Sequence, residues 1–110
     1  MIQRLQKECE PQAIYAQLVT KQKRMAPRLI CGSELEPGAC LRENDLTFLV
    51  SFGEGLASGI FLDQRENRRR LLAMPLPGKT VLNTFAYTCA FSVAAAKAGA
   101  MTTSVDLSKN

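Results

Sequence analysis

Histidine is absent from the 110 residues, and the four cysteines, Cys9, Cys31, Cys40 and Cys89, show no short paired spacing. Zinc sites are built from clustered cysteine and histidine, so no metal is expected. Aromatic residues make up only 6% of the chain, without the alternation of rings and cations that stacks single-stranded bases. No apolar run approaches the ~20 residues of a membrane span. The start, Met1 to Glu8, has no apolar stretch of the secretory kind and carries an acid early, which excludes an ordinary export signal. These absences point to a cytoplasmic protein with free thiols. What is present is ordinary for a globular domain: 46% hydrophobic and 22% charged residues. The net charge of +4 suits a polyanionic partner. Lys21, Lys23, Arg24 and Arg28 form one basic cluster, and Arg65, Arg68, Arg69 and Arg70 another. Each is either a phosphate-binding face or a solvated surface.

Along the chain, Pro11 to Thr20 reads as a short amphipathic helix with Ile14 and Leu18 on one face. Arg28 to Cys31 is strand-like, and Gly32 to Gly38 is a loop by composition. Asn44-Asp45 is a turn pair ahead of Leu46 to Phe52, where Leu46, Phe48, Val50 and Phe52 occupy one face. Gly53-Glu54-Gly55 turns the chain into a return strand, Ala57 to Leu62, completing a β-hairpin. Asp63 to Met74 is a helix stopped by Pro75 and Pro77. The expected organisation is a small α+β hairpin module over 1–62, followed by an α/β unit over 63–110.

That unit is the most informative part. Thr80 to Leu82 is a short strand, Asn83 to Thr88 a loop, Phe91 to Ala98 an Ala-rich helix, and Gly99 its terminating glycine. Thr102 to Val105 is a second strand, closed by Asp106. One βαβ unit of a parallel sheet results, with its ligand beyond the carboxyl ends of the strands. An acid ~20 residues after the first loop is where such sheets hold ribose hydroxyls. Asp106 is therefore read as a ribose ligand, with a helix cap or a solvated acid as the bland alternative. No glycine lies between Asn83 and Phe91, so the loop cannot cradle a pyrophosphate. Gly78-Lys79-Thr80 precedes the strand and reads as a turn, not as a phosphate loop. An adenosine-bearing cofactor without phosphates, S-adenosylmethionine, fits these features.

Asn83 to Thr88, Phe91 to Ala95 and Ser104 to Lys109, together with Gly59 to Arg69 upstream, resemble a class I methyltransferase family. It includes bacterial large-subunit ribosomal-RNA methyltransferases of the cytosine-C5 and guanine-N7 types. The resemblance is close from Asn44 to Asn110 and loose before that. It implies a Rossmann-like α/β fold, here truncated to its first βαβ unit, with S-adenosylmethionine as cofactor and RNA as partner. It also implies that base-contacting and catalytic groups lie past Asn110, and that the fragment alone transfers no methyl group. Cysteine stands at position 89 where the family usually has glycine. The Ala-rich helix that follows directly predicts an ordinary helical φ at Cys89.

For single residues, the resemblance favours Phe85 or Tyr87 lining the cofactor, against a role as core aromatics. Asn83 either bonds the cofactor's amino-acid end or fixes the loop. Gln64 and Arg65 precede the helix, and Arg65 is a candidate partner for the cofactor carboxylate; the run Arg68-Arg69-Arg70 reads equally as a wet helix face. Two other functions remain open at this point. A non-catalytic basic RNA-binding fragment is one, and a dinucleotide-dependent oxidoreductase is the other, the latter opposed by the glycine-free loop.

Overall fold

In a computed structural model, residues 1–21, 25–36, 38–50 and 59–107 are described. They form helix α1 (Ile2–Cys9), strands β1 (Ala13–Ala16), β2 (Arg28–Gly32), β3 (Ala39–Glu43) and β4 (Leu46–Val50), then helix α2 (Arg65–Leu72). Strand β5 (Thr80–Thr84), helix α3 (Ala90–Lys97) and strand β6 (Met101–Val105) follow. Among these residues the strands pair as β1–β2 and β3–β4, both antiparallel, and β5–β6, parallel.

The hairpin exists, but its partners differ from the expectation. β4 pairs with the strand before it, Leu41 facing Phe48 and Glu43 facing Leu46. Asn44 and Asp45 take φ of 49° and 61°, the pair of positive values that a tight two-residue hairpin turn requires. Alternation holds along β4: Leu46, Phe48 and Val50 are buried while Thr47 and Leu49 are exposed. The predicted Gly53-Glu54-Gly55 turn, together with Phe52, Ala57 and Ser58, lies outside the described residues. Of the predicted return strand, Gly59 and Ile60 form a bend, and Leu62–Gln64 a single 3₁₀ turn. Gly59 has φ 91°, and Ile60 is buried in the core, so this segment plugs the core instead of extending a sheet.

The helix predicted over Pro11–Thr20 is a strand. Ten residues fall below the ~12–15 that sustain a helix without tertiary support. The β-favouring Ile14 and Tyr15 instead pair with Cys31 and Leu29, and the Tyr15 hydroxyl accepts the Leu35 N–H at 2.9 Å. The strand at Arg28 and the helix before Pro75 form as expected.

The βαβ unit also forms as read. β5 and β6 run in register from Thr80–Met101 to Thr84–Val105, joined by α3, whose exit glycine Gly99 has φ 96°. Leu46, Phe48, Val50 and Ile60 share one core with Ala90 and Ala94, and Leu71 and Leu72 of α2 pack against it. The hairpin is thus seated on the start of the βαβ unit, across position 62.

Candidate functional site

The loop between β5 and α3 is built from alternating backbone signs. Phe85, Tyr87 and Cys89 all have positive φ, at 57°, 50° and 63°. Hydrogen bonds impose this shape. Ala86 N–H donates to the Val105 carbonyl at 3.1 Å, and Cys89 N–H to the Ala86 carbonyl at 2.7 Å. The Cys89 carbonyl then accepts Val93 N–H, the first bond of α3. Cys89 itself, with ψ 22°, is left-handed. The ordinary helical conformation expected there is wrong, because the loop closes before the helix begins and its last residue must turn the chain. This is the geometry for which glycine is suited.

Asp106 follows β6 directly, and its Oδ2 accepts the Tyr87 N–H at 2.7 Å. The loop is therefore tied to the carboxyl end of the second strand by both a carbonyl and a carboxylate. Phe85 is 81% exposed. The Tyr87 ring meets Phe61, with centroids 5.3 Å apart at 57°, and the Thr88 hydroxyl donates to the Gly59 carbonyl. Asn83, Phe85 and Tyr87 line one pocket together with Phe61, Arg68 and Phe91. Its volume, about 80 Å³, is well below the roughly 300–1,000 Å³ that enclose a small-molecule ligand. These residues alone do not enclose a ligand.

Asn83 is engaged from below. Its Nδ2 donates to Ser92 Oγ at 2.9 Å, and Ser92 Oγ lies 2.6 Å from Ser104 Oγ. One polar chain pins β5, α3 and β6 together under the loop. Gln64 and Arg65 stand apart from that pocket wall. Gln64 donates to Asp63 and accepts from Asn67, and the Arg65 carbonyl accepts the Asn44 amide at 3.3 Å. The Arg65 side chain is exposed at the first turn of α2.

The sequence reading missed Arg68. It is 1% exposed, its Nε and Nη2 donate to the two oxygens of Glu43 at 2.6 and 2.7 Å, and Nη2 also donates to the Phe61 carbonyl at 2.9 Å. Arg68 is therefore no part of a wet basic face, whereas Arg69 and Arg70 are exposed. Arg69 pairs with Glu66 at 2.7 Å, and its hydrogen bond and charge hold the Glu66 carboxyl below the usual range. Lys23 and Arg24 of the first basic cluster lie outside the described residues, while Lys21 and Arg28 are exposed. The four cysteines are free thiols, and no group of three or more cysteine, aspartate or glutamate side chains is placed to hold a metal among the described residues. No described helix is long and apolar enough to cross a membrane.

The fold agrees with that of known proteins. Residues 11–110 match the family described as S-adenosylmethionine-dependent methyltransferase. A ribosomal RNA large subunit methyltransferase of Deinococcus radiodurans is 40% identical over 82 residues, covering 74% of this chain and 20% of the relative. The ribosomal RNA large subunit methyltransferase K/L of Allochromatium vinosum is 52% identical over 68 residues, 61% of this chain and 9% of that one. Among solved structures, a chain from Streptococcus mutans described as a SAM-dependent methyltransferase superposes with TM-score 0.71 at 50% identity. A crystallised methyltransferase-like protein complexed with SAH, SMU.776, gives TM-score 0.70, also at 50% identity. Each superposition covers 76% of this chain and 22% of the other. The chain thus spans about a fifth or less of the length of these curated relatives. Its α/β architecture is the first βαβ unit of a Rossmann-like fold.

Proposed function

Because the chain belongs to the S-adenosylmethionine-dependent methyltransferase family, we propose that its βαβ unit holds S-adenosylmethionine in a cytoplasmic protein that methylates a base of ribosomal RNA. The observation that carries this reading is the 2.7 Å bond from Tyr87 N–H to Asp106. It fixes an acid at the carboxyl end of β6, where parallel sheets present one to ribose hydroxyls. The residues suit this cofactor. Asp106 serves the ribose, Phe85 and Tyr87 offer ring faces to adenine, and the glycine-free loop needs no phosphate to fill it. When bound, the cofactor supplies an electrophilic methyl group on its sulfonium. The chain's own part is to orient it: Asn83 holds the loop through Ser92, whereas Gln64 and Arg65, expected at the cofactor carboxylate, stand apart from the pocket wall and are given no part in holding it. No catalytic residue is assigned within the chain. The relatives named as ribosomal RNA methyltransferases support an RNA substrate. The exposed Lys21, Arg28, Arg65 and Arg70 offer cations to its phosphates. The dinucleotide alternative falls with the family.

Calorimetric titration with S-adenosylmethionine tests this. Asp106→Ala weakens binding by about 1–3 kcal/mol, the cost of leaving hydroxyls without a charged acceptor. Unchanged affinity reduces Asp106 to a clamp on Tyr87. No cofactor binding by the parent, with RNA binding kept, favours a non-catalytic RNA-binding role.

A further inference from the structure

Arg68 is fully buried and makes contacts to three separate parts of the chain. Its guanidinium forks onto Glu43 at the end of β3, donates to the Phe61 carbonyl, and lies 5.7 Å from the centroid of the Phe91 ring at the start of α3. Glu43 is also buried, at 4% exposure. A buried Arg–Glu pair gives little net stability over two apolar side chains of similar volume, because desolvating both charges offsets their attraction. Stability alone therefore does not account for placing two charges here. What an apolar pair cannot do is hold a backbone carbonyl, and Arg68 holds that of Phe61. Phe61 is extended, with φ −86° and ψ 104°, immediately before the 3₁₀ turn, and its ring packs on Tyr87. One arginine thus sets where the Phe61–Tyr87 ring pair stands at the edge of the pocket.

We propose that Arg68 is a positioning residue for the aromatic wall of the pocket, with Glu43 as the anchor that orients it. Acting through the Phe61 carbonyl, it fixes the ring pair against which the adenosine-bearing ligand packs. The ligand part of this inference rests on the cofactor reading above; the positioning part does not.

The decisive variant is the double substitution Glu43→Leu with Arg68→Met, which removes both charges and retains volume, so the fold is kept and melting stays near that of the parent. Two readouts follow. The first is the nuclear Overhauser contact between the Phe61 and Tyr87 rings in ligand-free protein, present in the parent and lost in the double variant. The second is affinity for S-adenosylhomocysteine, reduced about tenfold, a change that stability alone does not produce in a folded variant. A ring contact that persists, or an unchanged dissociation constant, in the folded double variant overturns the inference. A parent that does not bind S-adenosylhomocysteine, while the ring contact behaves as expected, overturns the cofactor reading and supports the positioning role. Should the double variant not fold, Arg68→Lys decides by the same two readouts. It keeps a cation for Glu43 but lacks the fork that reaches Phe61 and Glu43 together.

Discussion

Cys89 adopts φ 63° and ψ 22°, where a Cβ crowds its own backbone at a cost of about 1–2 kcal/mol. Replacing it with glycine removes that strain and returns about 0.4–1 kcal/mol to the unfolded chain as entropy. Cys89→Gly is expected to stabilise the protein by about 0.5–1 kcal/mol, the difference between these terms, read as a raised urea midpoint. Cofactor binding tightens alongside, and an unchanged or lowered midpoint would show that the loop is unstrained. The left-handed turn was not legible in the residues, because an Ala-rich run pulls any reading of its first position toward the helix. Arg68 was hidden for a different reason. In a run of three arginines each looks solvated, yet Leu71 and Leu72 stand three and four residues on, which puts Arg68 on the apolar stripe. Glu43 gave a matching signal, taking the place after Ala39 and Leu41 on the inward face of β3. Two opposite charges on two apolar faces were the available clue.

Among the elements, the β3–β4 turn carries the clearest expectation. Asp45 has φ 61° directly after Asn44 at 49°, and Asn-Gly is the preferred pair for this turn. Asp45→Gly is therefore expected to stabilise the hairpin by about 0.5–1 kcal/mol, measured as a higher melting temperature. The βαβ unit was legible to within a residue or two at most boundaries, because propensity, the glycine exit and the β-branched strands agree locally. β1 was not, since four residues become a strand only through β2, a partner twelve residues further on that local spacing does not reveal. The described part of the expected return strand, Gly59 to Leu62, is a bend leading into a 3₁₀ turn, because a single glycine and a buried isoleucine look the same in a strand as in a bend.

The molecule as a whole is loosely gathered. Its radius of gyration is 16.5 Å, against about 13 Å for a compact domain of this length. The hairpin, α2 and α3 share a core, whereas Leu18, Val19 and Met25 beside β1 and β2 are more than half exposed. Hydrogen exchange is expected to show the β1–β2 amides opening well before those of β4 and α3, as a separate unit. Exchange at one common rate would mean that the pair is integral to the core. α3 has its own consequence. Apart from Phe91 at its start, its buried side is made of Ala90, Ser92, Ala94 and Ala95, the last two with no exposed surface. Beyond Phe91, a helix face of methyl groups and one hydroxyl has no long side chain that can bend aside for an intruder. A larger side chain at Ala94 or Ala95 therefore has to push whole elements apart, while Val93 and Lys97 on the outer side take substitutions without moving anything. The helix works as a gauge block, setting the spacing of what it touches by having almost nothing that can give.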